Sequence, residues 1–411
     1  MRSPTKSSLR QSMTLLSMNN VFDAHNHVHL SIPGGVPPLD FEKNVPYYTS
    51  SDENLDRIRK HAKDVTQSLM GGSPTQGDEL DGKENSKIPI QLYGTALMST
   101  QPRDFPVADE ICNALEQKKS EMKHLPLDDL ATFLDTNEFS SIIRCYGVHP
   151  WFLHLADDDF KDIPHAINYN NEEACGSKSV NLGFSKEMAE MYSFKWYPYL
   201  RQKLEMNTKA CVGEIGLDGA RYDPITMKTP STMERQIQAF EVQMHLAAEL
   251  KRPVSIHSVK AWGPMSDAFR RIKKSREQIV GKNKKERSEK RRLLESQGIY
   301  DDAPLLLPPK IYFHAFGGKA PIVDQLDSLC GDISETFYGF APVVNFRSPK
   351  TADVIRKIGL SQLVLETDLE NHGNVRDDIL SCIEHIATSL HKNNKEVAAK
   401  TTDNAKRLYK G

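Results

Sequence analysis

At 411 residues the chain can hold one large domain or two ordinary ones. Its 53 Lys and Arg against 55 Asp and Glu leave a net charge of −2, so any attraction to a polyanion has to be local. No apolar run approaches the roughly 18 residues a membrane span needs, and the six cysteines form no CxxC pair, which excludes a zinc ribbon or disulfide scaffold and favours a reducing compartment.

Residues 1–19 carry Arg2, Lys6 and Arg10 among Ser and Thr, with no acid before Asp23. They read as a disordered N-terminal segment, with a mitochondrial transit peptide as the second reading. Eight strand candidates follow, at 20–27, 91–97, 141–149, 210–214, 253–257, 311–314, 335–340 and 363–368. Several are near-continuous apolar runs, as strands buried on both faces should be. Helical patterns lie between them. Residues 234–250 place Ile237, Phe240, Met244, Ala247 and Ala248 on one stripe, and 353–358 and 377–390 read alike. Strand–helix alternation with eight strands predicts an α/β fold, a closed (β/α)8 TIM barrel over residues 20–411 as a single domain. Three polar segments read as insertions into it. They are 65–89, a flexible loop; 152–205; and 270–308, whose 270–292 portion holds 12 Lys or Arg and reads as a solvated basic helix or helical pair that could hold a polyanion beside the site.

Five of the apolar runs end in a residue able to bind a metal: His25 and His27, Glu214, His257, His314 and Asp368. In such a barrel the C-terminal strand ends converge on one mouth, so residues far apart in sequence meet there. His25 and His27, two apart on a strand, point the same way, and Asp23 sits where it can support them. A single carboxylate such as Glu214 can bridge two ions through its two oxygens. An N and O donor set without sulfur suits Mg, Mn or Zn rather than a thiolate site.

The motifs Phe22-Asp23-Ala24-His25-Asn26-His27, Gly147-Val148-His149-Pro150, 212–218, 252–258, His314-Ala315-Phe316-Gly317-Gly318, Leu365-Glu366-Thr367-Asp368 and the tail 402–409 occur in the order found in the TatD family of metal-dependent deoxyribonucleases. The chain resembles that family, amidohydrolase-like barrels, from residue 21 almost to its end. The resemblance implies two divalent ions. His25, His27, Glu214 and Asp368 would hold one, and Glu214, His257 and His314 the other. A water activated between them would attack a phosphodiester, with Glu214 and Asp368 as the catalytic carboxylates. His149 would be a substrate contact or support at the mouth. Three positions depart from the family pattern: Val259 replaces an Arg, leaving Lys260 as the nearby cation; Leu369-Glu370-Asn371-His372 replaces a Pro-containing turn; and His29-Leu30 replaces Leu-Asp. Lys does not copy the planar grip of Arg on phosphate, and Glu370 would repel it.

The expected activity is therefore hydrolysis of DNA, single-stranded or at ends, in the cytoplasm or nucleus. Two alternatives stand beside it. One is a metal-dependent hydrolase of an amide, ester or lactone, because such a site attacks any polarised carbonyl or phosphoryl centre. The other is a TatD-like interaction protein whose insertions dock a protein partner.

Overall fold

Residues 18–33, 39–40, 47–48, 52–70, 90–122, 142–161, 184–222, 229–296, 307–331 and 333–410 are described by the structure, a computed structural model. Its principal sheet has seven strands, all parallel and paired in chain order: β1 Met18–Asn26, β2 Ile90–Met98, β3 Ile142–Tyr146, β4 Cys211–Asp218, β5 Val254–Val259, β6 Lys310–Phe313 and β7 Glu335–Tyr338. The eighth run, 363–369, closes the ring with few ladder bonds. Leu363 bridges Tyr338, Val364 N–H donates to Tyr338 O at 3.1 Å, Ala24 N–H to Leu365 O at 2.8 Å, and Asp368 N–H to His25 O at 3.0 Å. The eighth strand expected from the sequence is thus an extended segment stitched to β7 on one side and β1 on the other. This is the TIM-type barrel that the strand–helix alternation predicts.

Helices carry the chain back between strands. They are α1 Asp52–Met70, α2 Phe105–Met122, α3 Leu153–Phe160, α4 Phe184–Met191, α5 Tyr197–Met206, α6 Met233–Glu249, α7 Trp262–Val280, α8 Lys284–Ser296, α9 Ala320–Cys330, α10 Pro342–Asn345, α11 Thr351–Ile358, α12 Val375–Leu390 and α13 Asn394–Tyr409. A two-residue antiparallel ladder, Leu39–Asp40 with Tyr47–Tyr48, precedes α1. The larger apolar core lies between helices and sheet, and a smaller cluster includes Phe22, Met98, Ile143, Tyr312 and Phe337. Leu408 and Tyr409 of α13 join that smaller cluster, where the Tyr409 hydroxyl donates to Ala24 O at 2.7 Å.

The structure corrects the insertion boundaries. Residues 65–70 complete α1, whose Ile58, Ala62, Val65 and Leu69 are buried at helical spacing, so they do not belong to the expected flexible loop. Residues 71–89, 162–183 and 297–306 of the expected insertions lie outside the described residues, as do 1–17 of the expected disordered start. In the 152–205 segment, α3, α4 and α5 pack around Trp196, Tyr199 and Leu200. Residues 270–280 belong to α7, the return helix after β5, not to an insertion.

That assignment moves the basic segment. α7 starts just past the C-terminal end of β5 and runs 19 residues, about 28 Å at the α-helical rise, toward the opposite end of the barrel. α8 then folds back along it, with Arg287 Nε donating to Gly281 O at 3.2 Å and Lys290 Nζ to Gln278 O. The tip of this basic hairpin therefore stands far from the strand C-termini, not beside the mouth.

Candidate metal centre

Glu214 lies on β4 and is buried, and its two oxygens face different partners. Oε2 is 3.0 Å from His27 Nε2 and 3.4 Å from His25 Nε2. Asp368 Oδ1 completes that group at 3.5 and 3.6 Å from the same two nitrogens. Oε1 is 2.5 Å from His314 Nε2, 3.0 Å from His257 Nδ1 and 3.2 Å from His149 Nε2. All six residues expected from the sequence as ligands meet around Glu214, with His25, His27 and Asp368 on its Oε2 side and His257 and His314 on its Oε1 side.

Hydrogen bonds on the far side of each ring decide which nitrogen offers a lone pair. His27 Nδ1 lies 2.7 Å from Met98 O, which can only accept, so Nδ1 carries the proton and Nε2 is free. His257 Nε2 lies 3.0 Å from Asp218 Oδ2, which leaves Nδ1 free toward Glu214. His25 Nδ1 contacts Ser255 Oγ at 3.1 Å, again with Nε2 inward. A carboxylate or carbonyl behind a ligating imidazole is the usual support in metal sites. His149 is the reverse case. Its Nδ1 accepts the Trp151 N–H at 3.1 Å, so in the neutral ring the proton sits on Nε2 and is donated to Glu214. In that tautomer His149 is a donor that steadies Glu214, and it also lies close enough to Glu214 and His257 for the three to hold an ion.

Electrostatics favour a cation here. Burial lowers the His25 imidazole to about 3 with the help of neighbouring His314, and lowers His149 to about 4, so both stay neutral. Burial also opposes charge on His257 and His27, yet carboxylate partners overcome it, lifting His257 to about 9 and His27 well above its ordinary value. Glu214 and Asp368 are held ionised against burial by the surrounding imidazoles. Buried carboxylate charge thus recruits protons onto two of its histidines. A divalent ion satisfies the same charge and releases those protons. The donor set therefore fits metal ions, and several of its His and Glu residues lie close enough together to hold one.

Local structure explains why these side chains converge. Asp23 accepts the backbone N–H of His25 and, through the other oxygen, the Thr367 hydroxyl at 2.9 Å, tying β1 to the closing segment directly below the histidine pair. α6 reads two strand ends with two glutamines one heptad apart. Gln236 Oε1 accepts Asp218 N–H at 2.8 Å and Gln243 Oε1 accepts Val148 N–H at 2.7 Å. Gly216 has φ +151° and packs against the His257 carbonyl where a Cβ would collide, so β4 and β5 approach as closely as Glu214 and His257 require.

Two buried carboxylates beside the site were given no role from the sequence. Asp218 accepts four donors: His257 Nε2, Trp151 Nε1 at 2.7 Å, and the N–H groups of Ala220 and Arg221 at 2.6 and 2.7 Å. Burial opposes ionisation, but these bonds hold it well below the usual carboxylate range. Its spacing from Glu214, four residues along one strand and so on the same side, was the available signal. Glu366 is fully buried beneath the His25–His314 stack, bonded by Ala315 N–H at 2.6 Å and by the Tyr312 hydroxyl. Burial and nearby Asp368 raise its carboxyl well above the usual range, and it lies close enough to His25 and His314 for the three to hold an ion. Lys260 is exposed at the β5 end with φ +49°, and Glu370 is exposed after Asp368.

A sequence model of the family described as TatD-related DNase matches residues 124–410. The chain belongs to that family. Among TatD relatives, it is similar to the Cut9-interacting protein scn1 of Schizosaccharomyces pombe, at 24% identity over 294 residues, 66% of this chain and 84% of that one. It is also similar to deoxyribonuclease TATDN3 of Homo sapiens, 26% identical over 204 residues, which span 48% of this chain and 59% of the human protein. The crystal structure of an uncharacterized amidohydrolase from Saccharomyces cerevisiae shares the fold, with 12% identity, a TM-score of 0.50 and coverage of 95% of this chain and 99% of that one. The protein is accordingly a hydrolase of the TatD family.

Proposed function

We propose that this TatD-family hydrolase is a nuclease that uses two divalent ions to cleave phosphodiester bonds in DNA, at ends or in single strands. The observation that carries the reading is the division of Glu214, one oxygen toward His25, His27 and Asp368 and the other toward His257 and His314. Those groups would hold the two ions, which when bound supply Lewis-acid charge that polarises a phosphoryl centre and acidifies water. Asp368 is the more exposed of the two carboxylates, at 18% against 3% for Glu214, and stays ionised, so it can take the proton of the attacking water. His149 keeps Glu214 oriented by donating to it, and Lys260 offers a positive charge at the mouth.

The test is hydrolysis of labelled single-stranded DNA, duplex DNA, RNA and a panel of amides, esters and lactones with Mg, Mn or Zn. DNA cleavage that is lost in the His25→Ala/His27→Ala double variant, with one bound ion fewer by elemental analysis, is the expected result. Turnover of carbonyl substrates alone would sink the nuclease reading. The name of the fission-yeast relative, an interacting protein, supports a second reading in which a protein docks on the helices outside the barrel. That reading predicts that the double histidine variant keeps its partner.

A further inference from the structure

The mouth is chemically lopsided. Over β3, β4 and β5 its edge is aromatic and basic, and beside the closing segment it carries Glu370. Trp151 follows the His149-Pro150 pair, half-buried, with its ring edge-on to those of His149 and His257 at 5.1 and 5.7 Å. Arg221 is exposed and lies over the indole with Cζ 4.5 Å from the ring centroid. The same Asp218 carboxylate that bonds the indole and His257 also accepts the Arg221 backbone N–H. One anchor therefore sets ligand, aromatic ring and cation relative to one another. These separations confine the Arg221 guanidinium to within about 10 Å of the His257 ring, a cation–π contact at the rim of the metal centre. Lys260 joins the edge from β5, since Gly219 N–H donates to Val259 O at 2.8 Å and Gly219 packs on the Lys260 carbonyl.

We propose that Trp151, Arg221 and Lys260 form a subsite for the nucleotide adjoining the bond that is cut, binding its phosphate through Arg221 and Lys260. The inference rests on the nuclease reading above. Among the described residues no carboxylate pairs with the Arg221 guanidinium, whose contact there is the Trp151 ring at 4.5 Å. Stacking on Trp151 restricts the side chain before substrate arrives, and its planar fork matches phosphate oxygens. Repulsion by Glu370 disfavours the opposite exit, so the strand leaves across β4 and β5. Trp151 supplies the apolar wall and holds Arg221 in place.

The experiment compares a single-stranded DNA oligonucleotide with bis(p-nitrophenyl) phosphate, a diester lacking any flanking phosphate, for the wild type, Arg221→Ala, Lys260→Ala and Arg221→Lys. In Arg221→Ala the ratio of kcat/KM for the oligonucleotide to that for the small diester should fall roughly tenfold, through KM. The slope of log KM against log salt should flatten by about 0.7 for each phosphate contact removed. Arg221→Lys should keep the salt slope and recover only part of the ratio. Equal losses on both substrates would mean that Arg221 acts on the metal centre, and unchanged kcat/KM on both would mean that it touches no substrate; either leaves the ratio unaltered and overturns the subsite. Wild-type turnover of the small diester with none of the oligonucleotide would refute the nuclease reading and the subsite together. Turnover of both with an unaltered ratio refutes the subsite alone.

Discussion

Asp218→Asn changes one oxygen to nitrogen at a point where four donors meet. Two of them, the N–H groups of Ala220 and Arg221, approach Oδ1, and two, Trp151 Nε1 and His257 Nε2, approach Oδ2. An amide accepts on one side only. With its oxygen kept toward the backbone, the NH2 group faces the indole N–H and the imidazole. His257 then has to accept on Nε2, which moves its proton to Nδ1, the nitrogen 3.0 Å from Glu214 Oε1. The lone pair needed for a metal is lost unless the ring deprotonates or turns. Loss of such outer support costs roughly 10–100-fold in metal affinity, about 1.4–2.7 kcal/mol. The indole N–H, left facing another donor in a half-buried position, removes about 1 kcal/mol of folding stability. Titration calorimetry with Mn on metal-free protein should therefore show one binding step weakened and the His25/His27 step nearly intact. Melting of the metal-free variant should fall only slightly. Wild-type affinity at both steps would refute the tautomer argument. Equal weakening of both steps with a large drop in melting temperature would make Asp218 a packing residue instead.

Other expectations concern the scaffold. In Gly339→Ala the new Cβ would meet the Tyr312 hydroxyl and approach Glu366 Cδ to 2.6 Å, so overpacking should cost roughly 1–3 kcal/mol and lower the melting temperature by several degrees; an unchanged melt would show that the Tyr312–Glu366 pair yields. Burial lowers His245 on α6 to about 4, so between its unfolded value near 6.5 and that value the unfolded chain binds the extra proton. Its contribution is complete above about pH 6.5 and fades as pH falls toward 4, by at most about 3 kcal/mol. Denaturant midpoints of His245→Leu should accordingly decline less over that window than those of the wild type, and parallel declines would refute this.

What the sequence disclosed and what it hid have the same physical origin. Barrel strands are buried on both faces, so runs such as 253–257 and 311–314 stand out as apolar, and the polar residue ending each is conspicuous against them. The six candidate ligands were legible for that reason. The closing segment was legible as apolar, but its pairing was not, since Leu365 and Asp368 bond β1 from 340 residues away. α1 was read partly as loop because its C-terminal end borders a Gly, Ser and Asp rich stretch, and its apolar stripe runs through only four residues from 58 to 69. The place of the basic hairpin depended on the length of α7, which a run of Lys and Arg does not reveal.

His149 and Trp151 show where chemistry passes from scaffold to loop. Up to the strand ends, backbone bonds fix the side chains: His257 pairs with Gly216 across β4 and β5, and Glu214, in the irregular stretch of β4 between Val212 and Ile215, donates its N–H to Ser99 O at 2.9 Å. Past the strand ends, position depends on single side-chain anchors, and on this side of the mouth most of them converge on Asp218. A change in the loops after β4 or β5 can therefore alter the cations at the mouth and leave the strand-borne histidines and Glu214 in place. Here the exposed Lys260 follows Val259 at the end of β5 while Arg221, in the loop after β4, stacks on Trp151, so each of the two strand ends carries a cation. The carboxylate at 218 couples the Arg221 backbone to the His257 imidazole through two short bonds, so the loop after β4 and the imidazole on β5 are positioned together.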